Sequence, residues 1–419
     1  MSNKVFDVIV VGGGASGLMA GITAAKSGCN VCILEHIDVA GKKILATGNG
    51  RCNFTNRKQG ASYYRSDTPA FVLPSLENFT AQDTISFFQS LGVMTTEKNG
   101  YCYPRTMQAA TIRNALLKEV QRLHIKLLCD IGIRKIEKKN GIFIFDTKTG
   151  VFSSKACILA TGGKAEPKSG SDGSGYLYAK QLGHRITEPV PALVPLVSNA
   201  AWLKAVKGVR QEAKVSLFVD DAFVFADHGE VQFTDYGLSG IPVFQLSRFA
   251  AKALVEKQNV TVSIDFVPDT TADALKQWIS NQIEQYKTTG SMTDILSGIV
   301  NQKIAQQIAL QLPFANQSFA KLSKKQLSML VEKATYGLKQ TVVTITETKS
   351  FVQAQVTAGG ISTEEIDAGT MESKLVSGLY FAGEIMDVDG MCGGYNLQWA
   401  WASGYIAGQN AGKKIVRIL

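Results

Sequence analysis

The sequence predicts an α/β chain, in which an α/β domain is interrupted by an insert of strands and helices and completed by the C-terminal residues. Three observations predict it. A strand, a glycine turn, a helix and a second strand follow one another within residues 5–35. From about 190 the texture changes to alternating β-branched runs and then to a Gln-, Lys- and Leu-rich helical stretch. From 351 glycine returns, in Gly359-Gly360, Gly378, Gly383, Gly390, Gly393 and Gly394.

Composition sets the frame. A chain of 419 residues holds about three domains, or one large domain with an insertion. Apolar residues are 45% and charged residues 19%, which excludes a disordered chain. Glycine, at 39 residues against 10 prolines, exceeds its usual share, and glycine-rich turns let backbone approach a ligand closely. Seven cysteines at irregular spacing fit reduced thiols and a cytoplasmic protein rather than a disulfide framework. Cys29-x-x-Cys32 resembles a redox pair, but Cys32 lies inside the apolar run Val31 to Leu34 and reads as a buried strand thiol. The four histidines are not spaced with Cys or carboxylates as metal ligands are, so no metal is expected. The start, Asn3-Lys4-Val5-Phe6-Asp7, reads directly into a strand without a signal sequence. No run of about 18 apolar residues occurs, so no transmembrane helix and no membrane partner are expected.

The elements follow in order. Val5 to Val11 is a buried strand, Gly12 to Gly17 a turn, Leu18 to Lys26 a helix ended by Gly28, and Val31 to Leu34 a second strand. Residues 38–66 read as loop. Thr80 caps a helix to about Leu91, and 108–124 form another, with Ile112, Ala115, Leu116, Val120 and Leu123 on one face. Strands are expected at 126–136, 141–146 and 155–160. Residues 190–267 read as small antiparallel sheets, 271–337 as helices, 341–346 as a strand, and Trp399 to Ala407 as a helix.

The first motif is Gly12-x-Gly14-x-x-Gly17. Gly12 permits the tight turn, Gly14 lets backbone approach a pyrophosphate, and Gly17 lets helix and strand pack closely. Ala15 and Ser16 begin the helix, whose free N–H groups face the anion. Glu35 ends the next strand, where a carboxylate accepts hydrogen bonds from an adenosine ribose, and His36 follows it. This unit fits FAD and NAD equally. The second motif, Gly41-Lys42-Lys43 through Asn49-Gly50-Arg51-Cys52-Asn53-Phe54-Thr55-Asn56, mixes glycine, cations and amides in a loop able to wrap an anionic cofactor or simply to face solvent. The third runs from Gly383-Glu384 through Asp389-Gly390-Met391-Cys392-Gly393-Gly394-Tyr395-Asn396-Leu397-Gln398. There a carboxylate meets a glycine loop and a helix N-terminus that can stabilise negative charge.

Together with Ala160-Thr161-Gly162-Gly163, these motifs resemble the FAD-binding pattern of two-dinucleotide-domain flavoproteins. Gly41-Lys42-Lys43, Gly50-Arg51-Cys52-Asn53-x-Thr55-Asn56, Phe233-Thr234-x-x-Gly237-Leu238-Ser239-Gly240 and Gly393 to Gln398 more narrowly resemble the BaiN-like, aminoacetone-oxidase-like (YhiN-type) flavoproteins, over residues 5 to about 408. The resemblance implies a Rossmann-like FAD-binding domain in two parts, 1–189 and 351–419. The insert would comprise a β-barrel (190–267 and 338–350) and a helical subdomain (268–337). It implies tight, non-covalent FAD. Glu384 would meet the ribityl chain and Glu35 the adenosine ribose. Lys42, Lys43, Asn49, Gly50, Arg51 and Asn53 would line the cofactor, Gly394, Asn396 and Leu397 would approach its ring, and Ile133 would offer backbone to the adenine.

No second strand-GxGxxG-helix occurs, so NADH or NADPH would visit the flavin transiently as electron donor. Reduction of an activated C=C needs a hydride at one carbon and a proton at the other. Cys52, Tyr395, Cys392 and Tyr101 are candidate proton donors, each also readable as a core residue. Three functions stay open. One is an NAD(P)H-dependent reductase of a C=C conjugated to a carbonyl. For this the resemblance implies uridine in large-subunit ribosomal RNA, giving dihydrouridine, or a steroid- or bile-acid-like enone. The others are an aminoacetone-type amine oxidase and a non-catalytic binding module. Charge tips the substrate slightly towards RNA. The chain carries 44 Lys and Arg against 35 Asp and Glu, net +9, and the excess lies in residues 1–189. Six cations, Lys42, Lys43, Arg51, Arg57, Lys58 and Arg65, fall between Asp38 and Asp67 with no acid among them. Tyr63, Tyr64, Tyr101 and Tyr103 stand nearby and could stack on bases. A monomer or a weak dimer is expected.

Overall fold

The computed structural model describes residues 5–315 and 317–416, so Asn3 and Lys4, ahead of the expected leading strand, lie outside the described residues. The chain divides into two compact units, Met1–Val190 with Ala354–Leu419, and Pro191–Gln353. No helix among the described residues is long and apolar enough to cross a membrane.

The first unit is built on a seven-stranded sheet. Its centre is β1 (Phe6–Val11), parallel to β2 (Val31–Leu34) on one side and to Gly150–Leu159 on the other. Strand Lys126–Leu128 extends the sheet beyond β2, and Leu379–Phe381 pairs with Cys157 to Leu159, both parallel. A central parallel strand is covered on both faces, which is why Val8, Ile9 and Val10 have no polar alternation and are fully buried. The strand Gly150–Leu159 is long enough to pair twice. Its first half pairs antiparallel with Ile142–Thr147, which pairs in turn with Ile133–Lys139. The expected strand over 126–136 is therefore two strands in different parts of the sheet, separated by Asp130 with its positive φ and by Gly132.

Helix α1 (Ala15–Lys26) lies between β1 and β2 in sequence and packs against the C-terminal helix Tyr395–Val416. The latter is longer than the apolar run Trp399 to Ala407 suggests. Gly404, Gly408 and Gly412 form a stripe at helical spacing. A Cβ at Gly404 would lie 2.5 Å from the Ser16 carbonyl oxygen, and one at Gly408 2.3 Å from that of Ala20. The glycines thus let two helix backbones touch. Helix Ala81–Ser90 is capped as its sequence predicts, with Thr80 and Asp83 forming a reciprocal capping box.

The second unit holds another seven-stranded sheet, in which Arg210–Val219 and Ala222–Phe233 form the central hairpin. The end strands of its path, Thr341–Ile345 and Glu347–Thr348, are separated by Thr346 alone, so one short stretch of chain serves both ends of the sheet. Alternation puts Ala213, Val215 and Leu217, and Val260, Val262 and Ile264, inside. Helices Ala272–Gln285, Met292–Ser297, Gln302–Leu310 and Lys324–Lys339 lie in the chain between strands Val260–Asp265 and Thr341–Ile345. One element differs from the sequence reading. Ile241–Val255, expected among strands, is a helix whose buried Val243, Leu246, Ala250 and Ala253 recur at helical spacing.

Candidate functional site

A cleft of about 1090 Å³ opens in the first unit at the carboxyl ends of the parallel strands. This is where open α/β sheets bind ligands. The turn after β1 forms its floor. Gly12, at φ +103°, lies against the Ala160 carbonyl, where a Cβ would come within 2.4 Å of the oxygen. Gly17 abuts the Gly12 carbonyl at 1.9 Å from the Cβ position. Gly14 differs from both, since a Cβ there would meet nothing within 4 Å. Gly14 is the N-cap of α1, makes no side-chain cap, and no acid occupies the first turn. The helix therefore presents N–H groups and its positive dipole end to the cleft.

Two carboxylates stand on the cleft wall. Glu35 is buried, and its oxygens accept hydrogen bonds from the Gly13 N–H at 2.7 Å and the Ile37 N–H at 3.0 Å, with His36 Nδ1 at 3.1 Å. Burial raises its pKa, but the bonds from His36, Ile37 and Gly13 outweigh that and hold it below the usual carboxylate range. His36 is held above its ordinary value, chiefly by that bond to Glu35. Glu35 is thus partly committed to tying the glycine turn to the end of β2, a role the sequence reading did not include. Glu384 accepts the Thr357 N–H at 3.0 Å and pairs with Lys43 Nζ at 3.1 Å. Lys43 also donates to the Ala165 carbonyl at 3.2 Å. Both groups of this pair face the cleft.

The other expected residues divide. Gly12, Gly14, Ala15, Ser16, Glu35, His36, Lys42, Lys43, Ile133, Thr161, Gly162, Glu384, Asn396 and Leu397 line the cleft. Gly17, Asn49, Gly50, Arg51, Cys52, Asn53, Gly163, Gly383, Asp389, Gly393 and Gly394 do not, for identifiable reasons. Residues 42–46 form a short helix, and Asn49, Gly50 and Arg51 are exposed in the turns after it. Gly163 is pressed against Thr357 and Glu384, and Gly383 against Ser16. Gly393 and Gly394 pack on Tyr101 and on the Thr55 backbone. Asp389 is buried in a short strand paired with Arg65. Asn53 Oδ1 is buried without a hydrogen-bond partner among the described residues. The Ile133 carbonyl accepts the Tyr178 hydroxyl at 2.8 Å, so that part of its backbone is already engaged. The Asn396 side chain is fastened to Gly390 by two bonds of 2.8 Å and holds the glycine loop rather than pointing outward. Missed by the sequence reading are Ser169, Gly170, Ser171, Ser174 and Tyr178 on one wall and Gln355 and Val356 on another. The run Ser169-Gly170-Ser171-Asp172-Gly173-Ser174 was the available signal.

The proton-donor candidates also separate. Cys52 is fully buried, and burial pushes its thiol up to about 12, so it is sealed from any substrate. Tyr395 is 4% exposed and stacks on Tyr63 at 4.6 Å, and burial raises its phenol above the usual value. Cys392 is half-buried, and Tyr101 is 38% exposed. All seven cysteines are free thiols, and Cys29 and Cys32 are pushed up by burial to about 11 and about 12.

A glycine turn at the head of a βαβ unit, with a paired C-terminal helix opening on the same cleft, is the geometry of a dinucleotide fold. The family model described as "HI0933-like protein Rossmann domain" matches residues 6–410. The chain belongs to this HI0933-like family. It is 41% identical over 412 residues to the "3-dehydro-bile acid delta(4,6)-reductase" of Clostridium scindens, covering 97% of this chain and 98% of that one. It is 30% identical over 403 residues to the "Ribosomal RNA dihydrouridine synthase" of Haemophilus influenzae, covering 95% and 96%. Among solved structures, a flavocytochrome c3 fumarate reductase aligns at a TM-score of 0.48 and 17% identity, over 99% of this chain and 79% of that one. The protein is thus an oxidoreductase with a Rossmann-type FAD-binding fold.

Proposed function

We propose that this protein reduces a C=C bond conjugated to a carbonyl in a small, steroid-like enone, with FAD in the cleft and NADH or NADPH as the passing electron donor. The observation that carries the reading is the cleft itself, together with the 41% identical reductase. The residues present fit FAD. Gly14 leaves open space where a phosphate needs close backbone approach, and the first turn of α1 lacks any competing acid. A carboxylate stands on the wall beside the second strand and another beside the C-terminal helix, the latter paired with the Lys43 ammonium.

In this reading the α1 N–H groups hold the pyrophosphate, Glu35 meets the ribose, and Glu384 orients the polyol chain while Lys43 limits the negative charge there. Asn396 shapes the loop ahead of the C-terminal helix, and Asn396 and Leu397, in the first turn of that helix, would lie beside the cofactor ring. When bound, FAD would supply hydride transfer to the carbon β to the carbonyl. The burial of Cys52 argues against it as the source of the α proton, and Tyr101 and Cys392, which lie outside the cleft lining, are the candidates with solvent access.

A second reading, reduction of a ribosomal uridine, is favoured by the Haemophilus relative and by exposed cations. Arg51, Lys58, Lys98 and Arg105 are exposed and make no ion pair among the described residues. Uridine presents the same conjugated C=C–C=O unit, so the chemistry is shared. The test is anaerobic turnover with NADPH, offering a steroid 4-en-3-one and a uridine-containing ribosomal RNA fragment separately. Saturated ketone from the first supports the main reading. Dihydrouridine from the second alone moves it to RNA. Peroxide formation from an amine, with neither product, overturns both.

A further inference from the structure

A second cleft lies wholly within the Pro191–Gln353 unit and spans about 1080 Å³, open to solvent on one side. Its floor is apolar. Phe266, Ile304 and Ile308 are buried, and half-buried Trp202 closes one side, its ring 5.9 Å from that of Phe233. The helices that wall it are held close by Gly337, where a Cβ would come within 2.8 Å of Ile308 Cγ2. Around the mouth, Tyr336 and Val342 are 54% and 50% exposed. Clustered large apolar groups left in water mark a surface that something covers.

The polar groups of this cleft point to what covers it. Gln307, Gln311, Gln340 and Lys333 line it, and among the described residues none of their side chains makes a hydrogen bond or an ion pair. Among the described residues, no carboxylate, histidine or cysteine lines it. Lys339, on the same helix, is bound to Asp265 at 2.7 Å and to the Val267 and Thr270 carbonyls, so it is not available to a ligand. The charge of the cleft is therefore that of Lys333. An apolar floor with a few convergent amides and a single cation complements an apolar body that carries one negative group.

We propose that this cleft binds a small amphipathic monocarboxylate, its apolar body lying on Trp202, Phe266 and Ile308 and its carboxylate meeting Lys333. The site is independent of the FAD cleft and of the reaction assigned to it. The test therefore reads binding alone. The FAD-loaded, full-length protein is titrated with decanoate while tryptophan fluorescence is followed. A saturable change is expected, lost in Trp202→Phe. Lys333→Gln should weaken decanoate binding about three- to tenfold. Val342→Asp, at an exposed position, should weaken it further by adding a like charge. Both variants should melt as the wild type does, and 1-decanol should bind wild type and Lys333→Gln alike. The proposal is overturned by an unsaturable response, by a signal that survives Trp202→Phe, or by equal decanoate affinity in wild type, Lys333→Gln and Val342→Asp. It is also overturned if the ligand-free protein self-associates in a way that Val342→Asp abolishes, which would make a second copy the occupant.

Discussion

Substituting Gly14 by alanine separates cofactor binding from folding at one position. Gly14 has φ −78° and ψ −167°, extended backbone that any residue adopts, and its Cβ would meet no atom within 4 Å. The added methyl therefore strains nothing, and the fold should change in stability by no more than about 1 kcal/mol. If a phosphate sits against this turn, the methyl holds it off the N–H groups of α1. Overpacking of that kind costs about 1.4–2.8 kcal/mol, or roughly ten- to a hundredfold in affinity. Gly17→Ala is the contrasting control, because its Cβ would fall 1.9 Å from the Gly12 carbonyl oxygen, and backbone cannot yield. That variant should lose about 3 kcal/mol of stability or more. The assay is FAD titration of apoprotein by flavin fluorescence, beside thermal melts of the apo forms. Wild-type FAD affinity in Gly14→Ala would refute the reasoning, as would an apo melt lowered as far as that of Gly17→Ala.

Other outcomes follow from the same geometry. Lys43→Met removes the cation paired with Glu384, whose side chains are 23% and 18% exposed, and should weaken FAD about fivefold at an unchanged melting temperature, for about 1 kcal/mol; unchanged affinity in the same titration would count against the pair's role. Cys52→Ala should retain the turnover rate with only a modest loss of stability, since the thiol is sealed in the core, and loss of turnover with an intact flavin spectrum would contradict this. Glu119 is buried, pairs with Arg122 at 2.7 Å and Lys26 at 3.1 Å, and is held down to about 2, first by the Arg122 bond. Its stabilisation is present above the unfolded value of 4.5 and is lost as pH falls from there towards about 2. Glu119→Gln should therefore flatten the dependence of the urea midpoint on pH below 4.5, and parallel curves for variant and wild type would refute the assignment.

The βαβ head was legible because its signals are local. The apolar run of β1, three glycines at fixed spacing and the acid ending β2 all fall within residues 5–35. The resemblance extended this to the family and to a Rossmann-type fold, which the family match over residues 6–410 also shows. What stayed hidden depends on contacts distant in sequence. The Lys43–Glu384 pair joins residues 341 positions apart, and no spacing rule predicts it. Gln355 and Val356 reach the wall only because Thr357 is anchored by Glu384 and in turn binds the Lys164 and Ala165 N–H groups. Several expected cofactor residues do not line the cleft, and a glycine- and amide-rich run reads alike whether it faces a ligand or turns the chain. Gly393 and Gly394 lie off the cleft lining and approach Tyr101 and the Thr55 backbone closely. The helix Ile241–Val255 was overlooked because the β-branched segments on either side dominate its composition.

The central claim is that reduced flavin in this cleft passes its electrons to a conjugated enone. Stopped-flow absorbance under anaerobic conditions tests it most directly. Protein bleached with one equivalent of NADPH should recover its flavin absorbance on mixing with a steroid 4-en-3-one, with one equivalent of saturated ketone formed. A chain that carries no flavin, or whose reduced flavin is indifferent to the enone and recovers only with oxygen, would contradict it.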